Sequence, residues 1–483
     1  MNLTGTNRTF KFVFYLVFIF TLVYSNTILA QKEASSKTYP NILIITMDNV
    51  GYGDLPVYNK KSPIITPNID RFAEEGMKFT GFYTASPTCT ASRAALLTGR
   101  IPQRNGLDYQ LVALAGNYGV GLRKSEILIP EVIKKSKGNY ATGAFGKWNI
   151  GFAPGSRPTE RGFDEFLGIA SGNADHFSHV YNGQTDLHHN LERINRNGEY
   201  STDLFANSAI DFIKKNTLQE KPWFVYLPFD APHHPGEHQI GPDEELKWQA
   251  PESAFKPYGL NPDEADPKKR FNAVVTALDM AIGRVLKTLD SLGIAENTFV
   301  FLYSDNGAFY PYLESGIQSN KPFNGAGVTL YEGGIRVPAL ARWPGKISAS
   351  AVCNTRLWSP DLMIACAKLA KAELPSDRHL DGMNPIPVFT GERTDSPHET
   401  LFFVYRNYSA LLWDDWKIFR DGEEKSWQLF HLKNDIGENT DLSKQHPETV
   451  KKLSSAFDLK KKEIENYRKI EHTFNKRLKA NNP

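Results

Sequence analysis

Four short apolar runs, each broken off by a cluster of polar residues, constrain the fold of this chain more than anything else in it. They span 41–46, 140–145, 223–227 and 298–303. Continuous apolar runs of this length suit strands buried on both faces, as in a parallel sheet. Behind them come Asp48 and Asn49, then Lys147 to Asn149, then His233 and His234, then Asp305 and Asn306. Helix signals fall between the runs. Thr66-Pro67 supplies a cap and a first-turn proline, and Gly76 a stop. The stretches 203–215 and 271–292 read as two more helices, the second ended by Gly293. This alternation predicts an α/β fold built on a doubly wound, mostly parallel sheet. Ligands of such sheets sit beyond the carboxyl ends of the strands. All four polar clusters are therefore expected at one shared site.

The two ends of the chain read differently. Arg8 and Lys11 precede an apolar run over 12–24, followed by the small Ala30 and polar Gln31-Lys32-Glu33. That is the order of a cleavable secretory signal, and the run falls short of the roughly 20 apolar residues of a spanning helix. Residues 1–30 are expected to be a signal peptide and the protein to be secreted or periplasmic. A large domain is expected over 31–390. Beyond it, strand-like pieces at 401–405, 410–413 and 427–432 and a charged amphipathic helix from Glu448 to about Lys476 predict a smaller α+β unit over 391–483. Basic and acidic residues nearly balance, 56 against 54. No basic footprint exists for a nucleic acid, so none is expected as a partner. Three cysteines, Cys89, Cys353 and Cys366, allow one structural disulfide at most.

The most specific stretch runs from Ser86 to Arg100. Ala94 to Leu97 favours helix and Gly99 stops it, which puts Cys89 at the helix N-terminus. Free amide groups and the helix dipole there favour an anion. Arg93, four residues on, reaches the same side. A nucleophile in that setting suits a tetrahedral oxyanion; a buried structural cysteine would read the same way.

The segment Cys89-Thr90-Ala91-Ser92-Arg93-Ala94-Ala95-Leu96-Leu97-Thr98-Gly99-Arg100 resembles the signature of the type I, formylglycine-dependent sulfatases, with Ala91 where proline is usual. The resemblance runs from about Asn41 to Leu442 and takes in Thr66 to Asp70, Tyr331 to Pro338, Leu429 to Leu432 and Asn434 to Glu438. It implies an alkaline-phosphatase-like α/β/α sandwich. It also implies oxidation of Cys89 to formylglycine (3-oxoalanine) by a maturation enzyme, which would be a partner of this chain. Asp48, Asn49, Asp305 and Asn306 offer only oxygen ligands, which suit calcium or magnesium over zinc. In the family the matching positions bind calcium together with the formylglycine oxygen, which in this chain would belong to the oxidised Cys89. Many relatives carry Asp at the position of Asn49, so this site is less anionic, with weaker calcium binding and a stronger pull on sulfate expected.

The family's lysine on the sulfate corresponds to Lys147, and its histidine at the leaving oxygen to His233. Two positions depart from the pattern. Asn149 replaces a histidine, and Gly327 replaces a sulfate-binding lysine, for which Lys321 or Arg104 are candidate substitutes. Asn149, Asp175 and His176 are candidate substrate contacts; Asp175, His176 and His179 read equally well as ordinary loop residues. The mechanism implied has two steps. The formylglycine hydrate attacks sulfur, with calcium, Lys147, Arg93 and the helix end stabilising charge. His233 protonates the departing alcohol, and loss of the second hydroxyl proton expels sulfate. A sulfated polysaccharide or oligosaccharide is the expected substrate, with Trp148, Tyr181, Trp248 and Tyr258 as candidate sugar-stacking side chains. An arylsulfatase, a phosphonate or phosphate ester hydrolase on the same scaffold, and a non-enzymatic glycan-binding homologue are the alternatives.

Overall fold

The structure, a computed structural model, describes residues 39–236 and 248–480; the expected signal segment 1–30 lies outside the described residues. The four apolar runs become the strands Thr298–Ser304, Asn41–Met47, Trp223–Pro228 and Ala141–Phe145. They lie side by side in that order in a ten-stranded sheet, and each neighbouring pair is parallel. Glu165–Ile169 adds a fifth parallel strand. The edges are not parallel throughout: Ala339–Arg342 runs antiparallel to Thr298–Ser304 and to Met77–Phe79, and Leu187–His189 antiparallel to Glu165–Ile169.

Every residue of Asn41–Met47 is buried. Because successive side chains of a strand point to opposite faces, the strand feeds two cores. Leu43, Ile45 and Met47 pack with the helices Pro67–Glu74, Ser201–Leu218 and Pro267–Ser291. Ile42 and Ile44 pack with Cys89–Thr98, Ile129–Ile133 and Asp361–Leu369. Helices on both faces make this an α/β/α sandwich. The three cysteines are buried and free, so none is spent on a disulfide.

Thr400–Tyr405, Tyr408–Trp413, Trp416–Asp421 and Gln428–His431 form a separate four-stranded antiparallel sheet. The helix Pro447–Ala480 covers it, with Phe457 stacked on Phe402 at 4.7 Å between ring centroids. The strand Trp416–Asp421 has no counterpart among the predicted strands, because its second residue is a lysine that the fold buries. Lys417 Nζ lies 3.0 Å from Glu332 and 2.7 Å from Glu438. Glu332 in turn accepts from the Tyr83 hydroxyl at 2.7 Å. Burial pushes the Glu438 carboxyl up to about 7 even with Lys417 opposing it. This buried cluster ties the small sheet to the segment carrying Glu332.

Lys417→Met removes the cation that the two carboxylates share, leaving Glu332 to Arg336 at 3.3 Å and Glu438 uncompensated in a dry interior. A loss of about 3–5 kcal/mol in unfolding free energy is expected, the usual cost of breaking a buried pair. Urea unfolding of the two proteins measures it. An unchanged midpoint would show that the cluster does not hold the two sheets together.

Candidate active site

The sheet topology delivers the polar clusters to one edge. Asp48 and Asn49 follow Asn41–Met47, Lys147 follows Ala141–Phe145, His233 follows Trp223–Pro228, and Asp305 and Asn306 follow Thr298–Ser304. The loops also bond to one another. Asp48 N–H donates to the Ala231 carbonyl at 3.1 Å, and Asp305 N–H to that of Met47 at 3.0 Å. Asn49 and Asn149 both turn through positive φ, at 64° and 50°. Asparagine tolerates that region better than most residues. Gly146 has φ 132°, and a Cβ there would meet the Pro228 carbonyl at 1.9 Å. Only glycine lets the Lys147 amide approach that carbonyl at 2.7 Å.

Cys89 is the first residue of the helix Cys89–Thr98, which ends on left-handed Gly99. Its thiol lies 3.4 Å from Asp48 Oδ1 and 3.9 Å from Asn49 Oδ1. Burial, and then the charge of Asp48, push the thiol well above its ordinary range. Arg93 is fully buried and donates through Nε to Asp305 Oδ2 at 2.9 Å and through Nη1 to the Lys147 carbonyl at 3.0 Å. Burial alone would lower its pKa, but Asp305 holds it above the usual value. Lys147 ion-pairs with Asp48 Oδ2. Its burial works toward deprotonation and Asp48 outweighs it, leaving a net upward shift. Burial, with Asp48 adding to it, raises the Asp305 carboxyl to about 6.

This donor set fits a hard cation. Ligand atoms of Asp48, Cys89 and Asp305 lie within 4.8 Å of one another, all buried. Asn306 Nδ2 donates to Asn49 Oδ1 at 2.5 Å and to the Gly307 carbonyl at 2.9 Å, while its own Oδ1 is buried with no partner among the described residues. An orphaned buried oxygen beside two carboxylates is costly unless something positive meets it.

His233 is half-buried, with Nδ1 at 2.7 Å from the His234 carbonyl. A carbonyl only accepts, so Nδ1 carries the hydrogen and Nε2 is left as the reactive nitrogen. Burial, reinforced by Lys147, pushes its pKa down to about 3.

The candidate substrate contacts Asn149, Asp175 and His176 are each hydrogen-bonded within the protein. Asn149 is fully buried: its Oδ1 accepts from Thr90 Oγ1 at 3.1 Å and Gln110 Nε2 at 3.3 Å, and its Nδ2 donates to Asn117 Oδ1 at 3.2 Å. It braces the start of the Cys89 helix. Asp175 is saturated by the amides of Phe177 and Ser178 and by Gln249. His176 is also buried and turned inward. Three of the proposed sugar-stacking rings, Trp148, Tyr181 and Trp248, are core residues. The fourth, Tyr258, spends its hydroxyl on Thr276 and the Ile65 amide. Arg104 is no substitute for the missing lysine, since Asp381 and Glu463 hold it at 3.0 and 2.6 Å. A side chain at Gly327 would meet the Gly307 carbonyl at 2.8 Å and the Phe309 ring at 3.1 Å, so the room for a lysine there is taken.

Sequence reasoning missed Gln110 and Asn117, which no motif marks, and gave Thr90 no role although it lies within the Cys89 segment. It also missed Tyr405 of the small sheet, which lies near Thr88 and Cys89.

A dry, doubly cationic pocket with carboxylates grouped for a metal, at the carboxyl edge of such a sheet, is the arrangement of the alkaline-phosphatase superfamily of ester hydrolases. The comparisons with known proteins narrow this. The Sulfatase family model matches residues 40–370. N-acetylgalactosamine-6-sulfatase of Rattus norvegicus is 34% identical over 86% of this chain and 83% of its own. Arylsulfatase A of Bos taurus is 32% identical over 89% of this chain and 83% of its own. Among solved structures, that of Ps i-CgsB in complex with k-i-k-neocarrahexaose superposes with TM-score 0.77 at 30% identity, covering 87% of this chain and 92% of that one. The chain belongs to the sulfatase family and is a sulfuric ester hydrolase.

Proposed function

We propose that this sulfatase removes sulfate from a sulfated polysaccharide or oligosaccharide outside the cytoplasm, with Cys89 matured to formylglycine and calcium at the strand ends. The observation that carries the chemistry is the buried meeting of Asp48, Cys89 and Asp305 at a helix N-terminus beside Arg93 and Lys147. The relatives support the sugar: one is named as an N-acetylgalactosamine-6-sulfatase, and another was solved in complex with k-i-k-neocarrahexaose.

Formylglycine, made by a maturation enzyme acting on Cys89, would supply a hydrated carbonyl whose hydroxyl is the nucleophile. Calcium, held by Asp48, Asn49, Asp305 and Asn306, would supply fixed positive charge for the sulfuryl oxygens. The chain's own groups do the rest. Arg93, locked on Asp305, keeps a permanent charge facing the same pocket. Lys147 offers a second cation to the ester. His233, through Nε2, delivers the proton to the departing alcohol. The low pKa of His233 belongs to the site without an anionic ester, whose arrival beside Lys147 favours the imidazolium.

Activity is expected to vanish on chelation and to return with calcium better than with zinc, since zinc prefers nitrogen and sulfur ligands. Full turnover after exhaustive metal removal would refute the cation site. Released sulfate, measured across defined sulfated oligosaccharides and an aryl sulfate on one preparation, tests the substrate. Faster turnover of the aryl ester than of every glycan would reverse the assignment in favour of an arylsulfatase.

A further inference from the structure

Behind His233 lies a chain of buried polar groups that the reaction above does not use. His176 Nε2 is 2.7 Å from the His233 carbonyl oxygen. Its Nδ1 is 3.0 Å from Ser201 Oγ, and Ser201 Oγ is 2.9 Å from Asp230 Oδ2. His176, Ser201 and Asp230 are each no more than 2% exposed. The backbone closes the arrangement: Ser201 N–H donates to the His176 carbonyl at 2.8 Å, and His233 N–H to that of Asp230 at 3.0 Å. Three separate segments meet here: the loop after Glu165–Ile169, the first turn of Ser201–Leu218, and the loop after Trp223–Pro228.

Counting hydrogens fixes what the chain must hold. The His233 carbonyl can only accept, so His176 Nε2 carries a hydrogen. Ser201 has one hydroxyl hydrogen for two neighbours. If it goes to an ionised Asp230, His176 Nδ1 must also be protonated, giving an imidazolium. If it goes to Nδ1 of a neutral His176, Asp230 must be protonated to donate back to Oγ. Both arrangements place one shared proton on the Asp230–His176 pair. Without that proton one of the three hydrogen bonds is lost, and a further buried polar atom joins Asp230 Oδ1, which has no hydrogen-bond partner among the described residues. Asp230 and His176 approach only to 3.7 Å, so Ser201 is the link between them.

We infer that Asp230, Ser201 and His176 form a proton-sharing chain that fixes the backbone of His233, making His176 a positioning residue for that histidine. The inference rests on the reading of His233 as the proton donor. Other titratable groups face the chain: Asp175 and His179 from the His176 loop, Tyr200 stacked on the His176 ring at 5.8 Å, and His233 itself. None of them replaces a link.

The test compares isosteric with truncating variants of the full-length, matured enzyme. In Asp230→Asn the amide donates to Ser201 as a protonated carboxyl would, and neutral His176 keeps both its bonds. Turnover should stay within about threefold of the parent, the scale of less than one hydrogen bond. Asp230→Ala, His176→Ala and Ser201→Ala break the chain. They should lower kcat by about tenfold or more with KM nearly unchanged, as expected when a reacting group is displaced but binding is not. Equal losses in Asp230→Asn and Asp230→Ala, or losses that fall on KM and not on kcat, would overturn the inference. Should Asp230→Ala fail to fold, Ser201→Ala carries the comparison, because it deletes one atom. His233→Ala is run alongside. A silent His233→Ala refutes the role of His233, whereas a crippled His233→Ala with silent chain variants refutes only the positioning chain.

Discussion

Cys89→Ala is expected to lower sulfate release on the order of ten-thousandfold or more, the scale on which loss of a covalent nucleophile is felt. The thiol itself is ill placed to be that nucleophile. It is buried against Asp48, and burial together with that carboxylate disfavours the thiolate. A thiol that does not ionise is a poor attacking group. The neighbouring hydroxyls do not replace it: Thr90 Oγ1 is committed to Asn149, and Ser92 Oγ is buried within the helix. Conversion of the Cys89 side chain to an aldehyde would resolve the conflict, because the attacking oxygen would then need no sulfur anion. Peptide mass spectrometry of active protein is expected to show the aldehyde in the segment from Thr88 to Arg93. An unmodified cysteine in fully active protein would remove the basis of the mechanism.

The parts of the fold that sequence reveals are those governed by short-range patterns. Runs such as Phe299 to Tyr303 are apolar on both faces because both faces are buried, so a parallel centre follows directly. The order Ser-Pro-Thr-Cys ahead of an alanine-rich stretch marks where the Cys89 helix begins, and the helix does begin there. The strands Met77–Phe79 and Ala339–Arg342 are too short to impose a pattern of their own, and pairing with their neighbours in the sheet defines them. The same limit applies within the site. Spacing shows that Asn149 follows a strand end, but its direction is set by Gln110 and Asn117, some 39 and 32 residues earlier in the chain. His176 turns inward for partners at Ser201 and Asp230 that no local motif announces. Buried polar residues take their orientation from distant hydrogen-bond partners, and one sequence does not display those pairings.

That difference bears on the two residues from which acid–base chemistry is asked. His233→Ala is expected to reduce turnover by about a hundredfold or more, the usual scale for loss of a general acid. Asn149→Ala should cost far less, about 1 kcal/mol for one net hydrogen bond, felt as a looser start of the Cys89 helix. An amide is no base at neutral pH, and Asn149 is closed off by Thr90, Gln110 and Asn117. In the proposed reaction, taking up the second hydroxyl proton would therefore fall to water or to a group other than Asn149. The His233 imidazole also leaves a mark on stability. Its pKa is about 3 in the folded protein against an ordinary 6.5, so the unfolded chain takes up a proton between those values that the folded chain refuses. Stability contributed by the neutral ring is complete above pH 6.5 and declines as the pH falls toward 3. His233→Ala should therefore be less sensitive to acid across that window while remaining far less active at neutral pH. Single-turnover measurements that follow alcohol and sulfate separately divide the roles. His233→Ala should slow alcohol release. Asn149→Ala should leave it nearly untouched and act, if anywhere, on sulfate release. Equal losses in the two variants, or a slower alcohol step in Asn149→Ala, would show that the proton donor has been assigned to the wrong strand end.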